Sequence, residues 1–253
     1  MSQTPARPAP EMPSLPVRAG DLALILIVSF GTAQLLVPLL FNLIGQDGPE
    51  PDADPRWLLL LTATIVLVQT GVLLGMIGIV VMRKYGLGWT ALGLCPAPAR
   101  WYLQAALIAI LTVPLVGLVN AAVTLPTGGA PFRNPQVYAL APGGFSWSGL
   151  VTMTVMAGVI APFAEELAFR GLLYPWLRQR IGIVAAALVS AVCFAVLHGV
   201  PILIPALVVV GVILAAVYQL SGSLWPAMVT HGVFNALMTL GLYAALAAGI
   251  APP

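Results

Sequence analysis

The chain has 253 residues, of which 60% are hydrophobic and only 7% are charged, and its mean hydropathy is +1.02. A soluble domain carries about 25% charged residues, so this composition excludes an ordinary water-soluble enzyme and indicates a membrane protein. The net charge of +2 is too small to indicate a nucleic-acid partner, and lipid is the expected surrounding.

The N-terminal part of the chain divides into a polar segment and three apolar spans. Residues 1–20 are polar and rich in proline, which predicts a disordered tail rather than a signal peptide. A helix needs about 20 apolar residues to cross a bilayer. Residues 21–145 contain three segments of that kind, joined by an acidic loop, a basic connector and a Pro/Gly-rich loop: Leu22–Ile44, Trp57–Met82 and Trp101–Val123.

The remaining part, residues 146–247, is predicted to hold four more closely spaced helices. Backbone polar groups inside a bilayer must be paired within the protein, so the apolar segments are expected to be helical. The predicted fold is therefore an all-α, polytopic membrane bundle of about seven transmembrane helices. The last four are Ser146–Arg180, Ile183–His198, Ile202–Leu220 and Leu224–Ala247.

The distribution of basic residues predicts how this bundle is oriented. Cytoplasmic loops carry an excess of Lys and Arg. Arg56 and Arg133 fall on the side of the acidic loop, and the other basic residues fall on the opposite side. We therefore predict an integral inner (cytoplasmic) membrane protein with a cytoplasmic N-terminus. The larger group is Arg7, Arg18, Arg83, Lys84, Arg100, Arg170, Arg178 and Arg180.

Cysteine usage adds little chemistry. Cys95 and Cys193 are the two cysteines of the chain, and no CxxC pattern is present. Neither a disulfide framework nor a thiolate metal site is therefore predicted.

The ionisable residues of the apolar part are concentrated in a few positions. Beyond Asp54 the chain has two acidic residues, Glu165 and Glu166, side by side in an apolar stretch. Its two histidines, His198 and His231, also lie in apolar segments. Charges are costly in hydrocarbon, so such residues mark a functional site. We predict that these four side chains belong to one site.

Helical spacing assigns neighbours within this group. Glu166 and Arg170 are four residues apart, the favourable arrangement for an ion pair on one helix face. His231 and Asn235 have the same spacing, so the imidazole and the amide point at a common region. Gly232, next to His231, is expected to allow close approach of another backbone.

The hairpin between the fourth and fifth helices predicts one contact across the bundle. If the helices turn near residues 181–182, Glu165 and His198 lie at the same level, roughly 24 Å from the turn. His231 is expected at a similar level, reached from the cytoplasmic side.

The predicted chemistry is hydrolysis by an activated water. A carboxylate in apolar surroundings can act as a general base while a histidine positions the water. A second imidazole and an amide can donate hydrogen bonds to the oxyanion formed on a peptide carbonyl. No serine or cysteine is obviously paired with a histidine, which favours water over a covalent nucleophile.

Three short patterns resemble the motifs of the CPBP intramembrane protease family, which includes type II CAAX prenyl proteases and bacteriocin-processing or immunity proteins (the "Abi" family). EExxxR is present as EELAFR, FxxxH as FAVLH beginning at Phe194, and HxxxN as HGVFN. The resemblance covers about residues 146–240.

The resemblance implies a glutamate-dependent intramembrane endopeptidase that acts on a membrane-associated peptide or membrane protein without a cofactor. Glu165 would activate water with help from His198. His231 and Asn235 would stabilise the oxyanion, and Glu166 with Arg170 would hold the first motif in shape.

Other functions fit the same residues. A Zn²⁺ ion held by one Glu and two His is disfavoured because HExxH is absent. A non-proteolytic membrane scaffold or regulator would retain the motifs without cleavage. A transporter or proton relay would also use buried Glu and His, although the His231 and Asn235 pair favours hydrolysis.

Overall fold

The computed structural model describes residues 15–43, 54–127, 140–141 and 144–250, and within these ranges it contains helices, turns and no strand. This confirms the predicted all-α fold. Each long helix begins and ends within about one turn of its predicted bounds. In chain order they are α1 Ala19–Leu43, α2 Pro55–Lys84, α3 Arg100–Thr124, α4 Trp147–Ile181, α5 Ile183–Leu197, α6 Pro201–Ser221 and α7 Leu224–Ala247.

The helices differ in their capacity to span a membrane. Within the described ranges α2, α3, α4, α6 and α7 are long and apolar enough to cross a bilayer. Residues Ala19–Thr32 of α1 and the whole of α5 are shorter apolar helices. A bundle of about seven membrane helices is therefore built from five full-length candidates and two shorter ones.

The predicted disordered tail is ordered in its last residues. Residues 1–14 lie outside the described ranges, as do most of the acidic loop and most of the Pro/Gly-rich loop. Leu15 and Val17 are each only 2% exposed. The indole of Trp176 donates a 2.9 Å hydrogen bond to the carbonyl of Val17. The prediction of disorder is therefore wrong for residues 15–20, because two apolar side chains there find a buried place against the end of α4.

Helix α4 contains two stretches in which the backbone hydrogen bonds are π-helical instead of α-helical. Residues Met156–Ile160 and Leu167–Leu173 are π-helical, and Pro162 lies between the two stretches. A π-helical turn holds one more residue than an α-helical turn and is frequent at functional sites. The Glu pair lies directly before the second stretch.

The connector between α2 and α3 is fixed to the turn between α6 and α7. Gly93 has a φ of +88°, and a Cβ atom there would lie 2.4 Å from the hydroxyl oxygen of Tyr218. The carbonyl of Gly93 accepts a 2.8 Å hydrogen bond from the backbone of Leu224. Ser223 Oγ donates a 2.6 Å hydrogen bond to the carbonyl of Cys95. The start of α7 and the connector therefore lie at the same end of the bundle.

The same end gathers most of the basic residues of the described ranges. Lys84 Nζ lies 2.7 Å from Asp21 Oδ1, and the Tyr85 hydroxyl also donates to Asp21. The backbone of Arg18 donates to that hydroxyl at 3.1 Å. Arg170, which the charge count assigned to this side, is instead fully buried inside the bundle, because it pairs with a buried carboxylate.

A row of aromatic rings joins α1 to the core of α4 and α5. The ring centroids of Phe30 and Phe169 are 5.3 Å apart, and those of Phe169 and Phe194 are 5.1 Å apart. Buried residues from both sides of position 146 belong to this one cluster. Phe194 ends the row beside the two histidines.

Candidate active site

Glu166 and Arg170 form a buried ion pair on α4, at the predicted spacing. Arg170 Nη1 lies 2.8 Å from Glu166 Oε1, and both side chains are 0% exposed. Arg170 Nη2 donates a 3.1 Å hydrogen bond to the carbonyl of Gly211 on α6. The guanidinium also lies over the ring of Phe194, 4.7 Å from its centroid. Because a buried charge is tolerated only when it is paired, each member of this pair depends on the other.

His231 reaches the same carboxylate from α7. Its Nδ1 atom lies 2.8 Å from Glu166 Oε1. An ionised carboxylate can only accept hydrogen bonds, so Nδ1 carries the proton in this contact. The other ring nitrogen, Nε2, then faces Glu165, and its distance to Glu165 Oε2 is 3.8 Å. Glu166 therefore orients the imidazole, and the sequence did not predict this contact.

The two adjacent glutamates have different surroundings. The side chain of Glu165 is 17% exposed, whereas that of Glu166 is fully buried. Successive side chains of an α-helix point about 100° apart. One carboxylate is thus enclosed by Arg170 and His231, while the other lies at the edge of the site where a substrate can reach it.

His198 has a hydrogen-bond partner on its own helix. Its Nδ1 atom lies 2.7 Å from the carbonyl oxygen of Phe194. A carbonyl can only accept, so Nδ1 donates and the neutral ring keeps a free lone pair on Nε2. The Phe194 centroid lies 4.5 Å from the His198 ring and 5.6 Å from the His231 ring. Phe194 therefore contacts both imidazoles, and the predicted facing of Glu165 and His198 stays a prediction.

Asn235 has a backbone partner on α4. Its Nδ2 atom donates a 2.9 Å hydrogen bond to the carbonyl of Ala157. The amide carries two N–H groups, so one remains for another acceptor. Close by, Gly232 contacts the backbone of Gly158, and a Cβ atom on Gly232 would lie 2.3 Å from Gly158 O. The close approach expected at Gly232 is confirmed, while its partner Gly158 was not predicted.

Comparison with known proteins identifies the region that holds this site. Residues 146–237 match the family model described as Rce1-like, type II CAAX prenyl endopeptidase Rce1-like. This segment, which is less than half of the chain, is therefore similar to a CAAX protease domain of that family. The matched segment runs from the start of α4 into α7 and includes all three motifs, so the resemblance read from them is confirmed. No curated protein and no solved structure matches the chain.

Glu166 is the shared acceptor at the centre of this site. Glu166 Oε1 accepts from both Arg170 and His231, which leaves Glu165 and the Nε2 atom of His231 facing the open side. Within the described part of the chain, no group of three or more His, Cys, Asp and Glu side chains could hold a metal ion. The expectation that the chain needs no cofactor remains a prediction.

Proposed function

We propose that the chain is an intramembrane endopeptidase in which Glu165 activates a water molecule for attack on a peptide bond of a membrane-associated substrate. The observation that supports this most is the arrangement around His231. Glu166 holds Nδ1 at 2.8 Å, and Nε2 faces Glu165 Oε2 across 3.8 Å. Two polar atoms at that separation can both contact one small polar molecule.

In the first step Glu165 accepts a proton from water as the water oxygen attacks the carbonyl carbon. His198, whose Nδ1–H is occupied by the carbonyl of Phe194, accepts the second water proton in a hydrogen bond through Nε2 and so orients the water. The attack gives a tetrahedral intermediate with a negatively charged oxygen.

In the second step that oxyanion collapses. In this proposal His231 carries both of its ring protons before the reaction and keeps them throughout. It donates Nδ1–H to Glu166 and Nε2–H to the oxyanion, and Asn235 donates its second N–H. Glu165 then gives its proton to the leaving nitrogen as the C–N bond breaks. The products are a new carboxyl terminus and a new amino terminus, and Glu165 returns to its ionised form.

The proposed orientation places the site near the cytoplasmic leaflet. His231 lies in the second turn of α7, about 10 Å along the helix from Leu224. That end of α7 contacts the connector which precedes Arg100. Cytoplasmic ends are the basic ones, so the substrate would enter from the lipid and the cytoplasm.

The test compares the full chain with Glu165→Gln, reconstituted in lipid vesicles with a fluorogenic peptide that carries a CAAX terminus, in prenylated and unmodified forms. Loss of a general base costs about 10²–10⁴-fold in rate. The matched control is Glu11→Gln, a glutamate outside the matched segment, and it should cleave as fast as the wild type.

A second arm identifies the natural substrate in cells. Membrane and secreted peptides are compared between the wild type and Glu165→Ala, and a fragment lost in the variant names the target. If Glu165→Gln cleaves at the wild-type rate, the proposal is refuted. If Glu165→Ala keeps its cellular function and no fragment is lost, the chain acts as a membrane scaffold or regulator.

A further inference from the structure

We propose that Pro162 and Gly158 of α4 are positioning residues for His231 and Asn235. They leave two backbone carbonyls of α4 open to α7, and those carbonyls determine where α7 lies against the Glu pair. This inference deepens the proposed function, because it concerns the residues that hold the same site in its working geometry.

The first carbonyl is that of Ala157. In a regular α-helix it would accept from the backbone N–H of Ala161, but that N–H donates to Met156 O in the π-helical stretch. The next residue along is Pro162, which has no N–H. Neither residue 161 nor residue 162 therefore donates a backbone hydrogen bond to Ala157 O. Asn235 Nδ2 takes their place, at 2.9 Å from Ala157 O.

The second carbonyl is that of Gly158. Its α-helical donor would be the N–H of residue 162, but Pro162 has no N–H. Gly232 of α7 packs against this carbonyl so closely that a Cβ atom there would lie 2.3 Å from Gly158 O. A Cβ atom on Gly158 would lie 3.3 Å from Gly232 O and from Ala236 Cβ. The two helices therefore meet at backbone distance, the packing that small residues allow in membranes.

These two contacts act on the catalytic face of α7. Gly232 follows His231 in the chain, and Asn235 lies one turn further on. Two contacts that lie one turn apart fix the rotation of α7 about its axis and its position along that axis. The contacts therefore keep His231 Nδ1 at its 2.8 Å distance from Glu166 Oε1. They also hold one amide N–H of Asn235, which gives the other a defined direction.

The decisive variant is Pro162→Ala, because it restores a backbone N–H that competes with α7 for the freed carbonyls. Alanine also has a higher helix propensity than proline, so the melting temperature of the purified chain should not fall. With α7 displaced, kcat should drop about 100-fold, the loss expected when a catalytic group moves by about 1 Å. KM should change little, because the displaced groups act mainly in the transition state.

The matched control is Pro114→Ala, at an exposed proline inside α3, which should keep the wild-type kcat. A second pair compares Gly232→Ala with Gly241→Ala on the same helix, since a Cβ atom on Gly241 has no neighbour within 4 Å. Only the first of these should lower kcat.

A readout that does not need catalysis separates this inference from the proposed function. The chain has two histidines, so NMR of histidine-labelled protein gives two ring signals. In Pro162→Ala the chemical shift of the His231 ring signal should change, whereas it stays unchanged in Pro114→Ala. Shifted signals in a chain that cleaves no peptide would uphold the positioning role and refute the peptidase. An unshifted His231 signal together with an unchanged kcat in Pro162→Ala would overturn the inference.

Discussion

The buried pair of Glu166 and Arg170 offers a test of how the site is held together. Replacing Arg170 with Met keeps most of the side-chain volume and removes the permanent cation. Glu166 then keeps His231 as its remaining partner, and the carbonyl of Gly211 loses its donor. Because both members of the pair are 0% exposed, water cannot take over either role.

The size of the effect follows from that burial. Removing one member of a buried ion pair costs about 3–5 kcal/mol. This corresponds to roughly a 10²–10⁴-fold change in the unfolding equilibrium constant. In the double variant Arg170→Met/Glu166→Gln, the lone charge is removed as well. The amide can still bind His231, so the double variant should recover at least half of the lost stability.

The measurement is a reversible denaturant titration in lipid bicelles, followed by the fluorescence of the six tryptophans. Lys84→Met is the control, since its ion pair with Asp21 is formed by a side chain that is 52% exposed, and exposed pairs contribute little. The reasoning fails if Arg170→Met unfolds within about 1 kcal/mol of the wild type, or if the double variant is no more stable than the single one.

Two further predictions concern cofactors and helix contacts. Exhaustive chelation should leave peptide cleavage by the purified chain unchanged, since in the proposed mechanism Glu165 rather than a metal activates the water; a loss of activity that Zn²⁺ restores would contradict this. Thr230 Oγ1 donates to the carbonyl of Ala105 on α3 at 3.2 Å, and such bonds are worth about 0.6 kcal/mol in membranes. Thr230→Val should therefore unfold slightly more easily in the same titration while its kcat remains that of the wild type, and a large loss of kcat would show that α3 also positions His231.

The helix boundaries could be predicted because the chain marks them with simple signals. Long apolar runs give the spans, and turn residues separate them. Gly182, with a φ of +80°, ends α4, and Ser223 caps the start of α7 by accepting from Trp225. The order of residues 15–20 was missed because polarity alone does not show that Leu15 and Val17 have a place to pack.

The site could be predicted only in part. Neighbours on one helix, such as Glu166 and Arg170, follow from the α-helical repeat. Contacts between helices depend on helix rotation, and hairpin counting assumes a uniform repeat. The π-helical stretches of α4 depart from that repeat, and the contact between Glu166 and His231 was not predicted. The hydrogen bond from Asn235 to the carbonyl of Ala157 could not be predicted either, because it depends on which carbonyls Pro162 leaves without a backbone donor.

The contact between Gly93 and Tyr218 bears on how such proteins can be recombined. The turn that leads into the HxxxN helix is closed by backbone groups from a stretch far earlier in the chain. A chimaera that borrows only the matched segment would therefore carry the three motifs without the connector that holds the turn before α7. In a different membrane protein, the transferred segment would also need a connector with a glycine of positive φ at the position of Gly93, next to Tyr218.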